Sequence, residues 1–214
     1  METEFIYWRH LTPVGIKVEE VSGCEQKHGE VWRSMAMQIY CENGRDGYRE
    51  VGHLPNGAPL LHNEETRISV THTGHLLIVA SLPKTPETNL SEFSVRTAMG
   101  VDAEHCDRIQ VLKVRERFLS ADELSMIAPD DVEANVIAWT AKEALYKAAF
   151  VPGIDIRTGL RLLKLPTVDE PHGHAEIIRN PDDAPIPMDL YTYISEGCFV
   201  TLAFSPTCAK YSRR

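Results

Sequence analysis

The chain has no excess of positive charge, no long apolar run and no paired-cysteine motif, and each lack closes off a class of function. Its formal net charge is −9, whereas a general nucleic-acid binder carries a basic face. No stretch approaches the ~20 consecutive apolar residues that a membrane-spanning helix needs. Met1-Glu2-Thr3-Glu4 is acidic and no apolar stretch follows a basic start, so the chain reads without a secretory signal. The five cysteines (Cys24, Cys41, Cys106, Cys198 and Cys208) are odd in number and scattered, with no Cys-x-x-Cys. That usage favours reduced thiols and a cytoplasmic setting over a disulfide framework or a zinc ribbon. What is left is a chain of 214 residues with ordinary apolar and charged content, long enough for one large domain or two small ones.

Chemistry concentrates between Gly100 and Lys147. Gly100-Val101-Asp102-Ala103-Glu104 reads as a strand, and its period of two projects Asp102 and Glu104 from one face. Trp139-Thr140-Ala141-Lys142-Glu143-Ala144-Leu145-Tyr146-Lys147 reads as a helix, with Glu143 and Lys147 one turn apart on one side. If strand and helix meet, three carboxylates converge beside an ammonium. Such an oxygen set suits Mg²⁺, which takes a few carboxylates and shares its shell with substrate phosphate. Taken singly, the halves have plainer readings: a solvated strand edge and a surface ion pair worth a few tenths of a kcal/mol.

The two blocks together resemble the signature motifs of the 4′-phosphopantetheinyl transferases. Arg117-Phe118-Leu119-Ser120 with Glu123, and Thr71-His72-Thr73-Gly74 upstream, also look like that family. The resemblance covers residues 56 to 150 clearly and is weak before residue 50. It implies the larger, pseudo-twofold, surfactin-synthetase-activating type: α+β, two similar lobes, each a small antiparallel sheet packed on a long helix. The expected division is an N-terminal lobe over 1–82, a linker over 83–92 and a C-terminal lobe over 93–214 carrying the metal site.

The resemblance also implies the reaction. The phosphopantetheine arm of coenzyme A moves to a serine of an apo acyl or peptidyl carrier protein, in a monomeric enzyme. Mg²⁺ would be held by Asp102, Glu104 and Glu143. Glu143 would take the serine proton and Lys147 would stabilise the leaving phosphate. Thr71, His72, Thr73 and Lys147 would contact coenzyme A, the hydroxyls as donors and a protonated imidazole as charge. Asn56-Gly57-Ala58-Pro59 stands where many relatives have Gly-Lys-Pro, so a contact made there by lysine must come from elsewhere. Lys142 points elsewhere on the helix, toward substrate or solvent. A coenzyme A or carrier binder without turnover, another Mg²⁺ enzyme acting on phosphates, and a structural protein stay open as alternatives.

Along the rest of the chain, Phe5 to Val18 is strand material, and Val31, Met35 and Ile39 form a helical stripe. Leu76 to Ala80 is a buried strand whose Gly74-led pattern is echoed by Gly197 to Phe204, the second arm of a hairpin from Tyr191. Leu82 to Thr88, with two prolines, reads as the linker. Arg108, Lys113, Arg115 and Arg117 form a basic cluster suited to an acidic partner. Ser120 to Glu123 is a capping box, and Pro129-Asp130-Asp131 opens the main helix. Gly153-Ile154-Asp155-Ile156 reads as turn and strand, and His172-Gly173-His174 as a surface loop.

Overall fold

The computed structural model describes residues 6–11, 16–23, 30–42, 47–61, 66–82 and 98–206. The expected linker at 83–92 lies outside the described residues. The first lobe runs β1 (Ile6–Leu11), β2 (Lys17–Ser22), α1 (Glu30–Glu42), β3 (Val51–His53), β4 (Pro59–Leu61), β5 (Thr66–Thr73) and β6 (Leu76–Ser81). The second runs β7 (Met99–His105), a 3₁₀ helix (Ile109–Lys113), α2 (Arg115–Phe118), α3 (Ala121–Met126), α4 (Val132–Ala149), β8 (Leu160–Lys164), β9 (His172–Ile177), β10 (Ile186–Ser195) and β11 (Cys198–Phe204). Both sheets are antiparallel, with strand orders β1-β2-β6-β5-β4-β3 and β7-β11-β10-β9-β8.

Alternation along the strands stacks these elements into four layers. Val18, Leu76, Ile78 and Ala80 of the first sheet pack face to face on Met99, Val101, Ala103, Val200 and Leu202 of the second. The opposite faces take a helix each. Val21, Leu77 and Val79 meet Ala36 and Tyr40 of α1, and Leu190, Phe199 and Ala203 meet Val136, Ala141, Leu145 and Ala148 of α4. Removing both faces of each sheet from water is the main driving force for this arrangement.

With β1 set aside, the lobes repeat one topology. Strand, helix and four strands give the order β2-β6-β5-β4-β3 in one lobe and β7-β11-β10-β9-β8 in the other. The echo between the Gly74 and Gly197 segments is this repeat, because the two glycines sit in the β5–β6 and β10–β11 hairpin turns. The capping box forms as read: Ser120 Oγ accepts from Glu123 N, and Glu123 Oε2 accepts from Ser120 N at 2.7 Å. Asp131 caps α4 by accepting from Ala134 N.

Two expectations need correcting. His172-Gly173-His174 is not a loop but the start of β9, hydrogen-bonded to β10, where the His172 ring lies tilted against that of Tyr191 and His174 meets Asp189. Gly153 to Ile156 is turn only. Asp155 spends its carboxylate on the backbone N–H groups of Arg157 and Thr158, and strand structure starts at Leu160.

Candidate active site

The site begins with a missing side chain. A Cβ on Gly100 would stand 2.0 Å from the carbonyl oxygen of Ala144, so only glycine lets α4 lie this close to β7. That approach sets Glu143 and Lys147 over the face of β7 that carries Asp102 and Glu104. Every residue of the helix motif then has a task. Trp139 packs edge-on against Phe118 with ring centroids 5.0 Å apart. Thr140 joins a buried hydroxyl chain with Thr201 and Thr192, at 2.7 and 2.9 Å, that ties α4 to the sheet.

Lys142 departs from expectation, since it reaches neither substrate nor solvent. It is 1% exposed, pairs with Glu123 at 2.7 Å and donates to the carbonyls of Ile156 and Leu160. Burial pulls its ammonium below the ordinary lysine range, and the Glu123 carboxylate opposes that shift. Lys142 therefore anchors α4 to α3 and β8.

Lys147 spans the two lobes. Its Nζ donates to Asp102 Oδ1 at 2.8 Å, to the carbonyl of Val101 at 2.9 Å and to that of Val70, on β5, at 3.3 Å. Glu143, half-buried one turn earlier, has its carboxyl pushed up by burial and then by the Asp102 charge, with Lys147 pulling the other way. Glu143 and Asp102 thus share the Lys147 ammonium.

From the first lobe, β5 reaches the open edge of β7. Ser69 Oγ accepts from Val101 N at 3.0 Å, Thr71 Oγ1 donates to Asp102 at 2.9 Å, and Thr73 Oγ1 donates to Glu104 at 3.4 Å. Thr71 and Thr73 therefore hold carboxylates. His72 lies on the other face of β5 and is exposed. Its imidazole is held below the usual histidine value, first by partial burial and then by Arg33 and Lys147.

Among the described residues no three His, Cys, Asp or Glu side chains cluster as a ready-made metal site. Asp102 instead pairs with Lys147, and Glu104 pairs with Arg108. The donor chemistry nevertheless fits a hard divalent cation. Asp102 and Glu104 share a face of β7, and the Glu143 carboxyl lies close enough to feel the Asp102 charge, so three carboxylates stand near one another.

A cleft of about 300 Å³ opens from this point along the lobe junction. Arg67, Ser69 and Val70 of β5, the turn from Asn56 to Pro59, Met99, and Tyr146, Lys147 and Phe150 of α4 and its cap line it. Sequence reading passed over Arg67. It is 4% exposed, and its guanidinium lies 4.0 Å above the Phe150 ring. Phe150 itself sits in the left-handed region at φ 59°, an uncommon conformation for a bulky residue. The available signal was the alternation Arg67, Ser69, Thr71, Thr73, a polar stripe on a strand with an apolar opposite face.

Of the basic cluster, Lys113 and Arg117 are exposed. Arg115 is not part of such a surface, since its guanidinium is spent on Asn135 and on the carbonyl of Ile127.

Residues 98–194 match the family model described as the 4′-phosphopantetheinyl transferase superfamily. The matched segment contains Asp102, Glu104, Glu143 and Lys147. No curated protein matches the chain.

Proposed function

We propose that this chain, whose residues 98–194 form a domain of the 4′-phosphopantetheinyl transferase superfamily, moves the phosphopantetheine arm of coenzyme A to a serine of an apo acyl or peptidyl carrier protein. Adenosine 3′,5′-bisphosphate is the other product. The observation that carries this reading is Lys147, which lines the cleft between the lobes, donates to Asp102 and lies one turn from Glu143, all within the segment that matches the family.

The serine Oγ attacks the β-phosphorus, the bond from that phosphorus to the bridging oxygen breaks, and the electron pair leaves on the nucleotide phosphate. Such a transfer needs positioning and charge neutralisation more than covalent help. Glu143 takes the serine proton, directly or through water. Lys147, held by two backbone carbonyls and Asp102, presents a fixed positive charge to the leaving phosphate. Asp102, Glu104 and Glu143 are the residues that would hold Mg²⁺, which supplies charge neutralisation of the pyrophosphate when bound. Thr71 and Thr73 keep the two β7 carboxylates oriented. His72 meets phosphate from its own side of β5, and Arg67 supplies the cleft with a cation where Ala58 cannot.

The test is intact-mass spectrometry of apo carriers from fatty-acid, polyketide and peptide synthesis, each incubated with the chain, coenzyme A and Mg²⁺. A carrier gaining one phosphopantetheine arm with the wild-type chain, and not with Glu143→Gln, is the expected result. No gain on any carrier, while calorimetry still registers coenzyme A, would replace this reading with a binder that does not turn over.

A further inference from the structure

We infer that Arg108 is the resident counter-cation of Glu104, and that a divalent cation entering the site displaces it toward the exposed Lys113 and Arg117, completing a docking surface for an acidic carrier. This rests on the metal assignment proposed above. Glu104 is buried at 7% exposure, and its two oxygens are differently engaged. Oε1 accepts from Thr73 Oγ1 and from the backbone N–H of His105 at 3.0 Å. Oε2 is held by Nη1 of Arg108, four residues on. A metal ion binding Glu104 must therefore contest Oε2 with a guanidinium.

The contest is unequal. A divalent ion brings twice the charge to a mostly buried oxygen, where Coulomb interactions are strong. Arg108 is 45% exposed, so its head group can swing into water at little cost in solvation. Lys147 has no such exit, being tied to carbonyls of both lobes. Once released, Arg108 stands beside exposed Ile109 and near exposed Lys113 and Arg117 on the helices that follow, three cations against the two exposed acids Asp107 and Glu116. A basic patch around an apolar contact would then complete itself only in the metal-loaded chain. An acidic carrier would meet its full docking surface only after the site is charged.

The test is calorimetric titration of the full chain with Mg²⁺, for wild type, Arg108→Ala and Asp102→Asn. Removing the competitor should tighten Mg²⁺ binding on the order of threefold to tenfold in Arg108→Ala, by Coulomb repulsion relieved, while Asp102→Asn weakens it. In parallel, binding to a carrier whose acceptor serine is replaced by alanine should be tightened by Mg²⁺ for the wild type and not for Arg108→Ala. Equal or weaker Mg²⁺ binding by Arg108→Ala, with Asp102→Asn still impaired, overturns the displacement. A carrier affinity equally metal-dependent in both proteins overturns the release. If Asp102→Asn matches wild type, or wild type binds no Mg²⁺, the metal assignment itself falls and this inference falls with it.

Discussion

Where the C-terminal lobe has Gly100, the N-terminal lobe has Lys17; where one has Asp102, the other has Glu19. These equivalences follow from the pairings to β11 and β6, which place Ala203 opposite Gly100 and Ser81 opposite Lys17. Both acids face the helix of their own lobe, and both are buried. Their surroundings part company there. A lysine at position 17 leaves no room for the approach that Gly100 permits, and Glu19 is closed off by Lys17 at 2.7 Å and Arg49 at 3.0 Å. The outer edge of β2 is also covered by β1, whereas the outer edge of β7 stays open to Ser69 and the threonines of β5. One topology thus yields a charge held for chemistry in one lobe and a charge locked for packing in the other.

The most severe test of that contrast exchanges the acids for their amides. Asp102→Asn should lower turnover on the order of 10²-fold or more, the scale for removing an electrostatic group from a reacting centre, with a smaller loss of stability because Lys147 keeps its two backbone acceptors. Glu19→Gln should do the reverse. It breaks a buried ion pair, at a cost of about 3–5 kcal/mol, and leaves turnover per folded molecule unchanged. Denaturant titration alongside the carrier-mass assay separates the two. A Glu19→Gln protein of normal stability but low turnover would mean that the first lobe does chemistry after all.

The contrast was only half legible in the sequence. Gly100 to Glu104 and Trp139 to Lys147 announced themselves because strand and helix periods fix which side chains share a face, and these calculations need no tertiary information. The capping box and the hairpin echo were readable for the same reason. Lys142 was not, because its partners Glu123, Ile156 and Leu160 are distant in sequence and only packing of α3 and β8 on α4 brings them in. The bonds from the threonines flanking His72 to the carboxylates of a strand some thirty residues away are illegible for the same reason. His172 and His174 looked like loop because Gly173 and Pro171 suggest a turn, while the register with β10 decided otherwise. Glu19 carried no signal at all: an acid between Val18 and Glu20 reads as exposed until Arg49 is placed beside it.

A smaller effect is expected on another equivalent pair of strands, β5 and β10. Arg67 of β5 corresponds to Asp189 of β10, since Ile68 and Leu190 pair with the equivalent residues Ser81 and Ala203. Arg67 sits in the cleft wall over Phe150, whereas Asp189 is engaged with exposed His174 at 3.1 Å. Arg67→Ala should raise KM for coenzyme A about tenfold, in line with a charged hydrogen bond of roughly 1.5 kcal/mol, and leave kcat nearly intact. Asp189→Ala should move neither constant. A fall in kcat without a rise in KM would take Arg67 out of ground-state binding.

The mildest difference lies at the next pair, His72 and Ile194, and it is read through pH. In the free chain burial, Arg33 and Lys147 hold His72 below its ordinary value of 6.5. The folded chain then binds fewer protons there than the unfolded chain, so this residue's share of stability is lost as pH falls below that value. A phosphate beside the ring reverses the bias by favouring the imidazolium. The complex with coenzyme A then binds more protons than the free chain, and affinity should rise a few-fold as pH falls through that window, about 1 kcal/mol or less. Above the window it should be flat. Calorimetry across pH checks this, with His72→Gln expected to remove the dependence contributed by the ring, and Ile194→His, on the equivalent exposed strand position, expected to add none. An unchanged pH slope in His72→Gln would mean that the imidazole faces α1 in the complex too, and that the phosphate is met by other side chains.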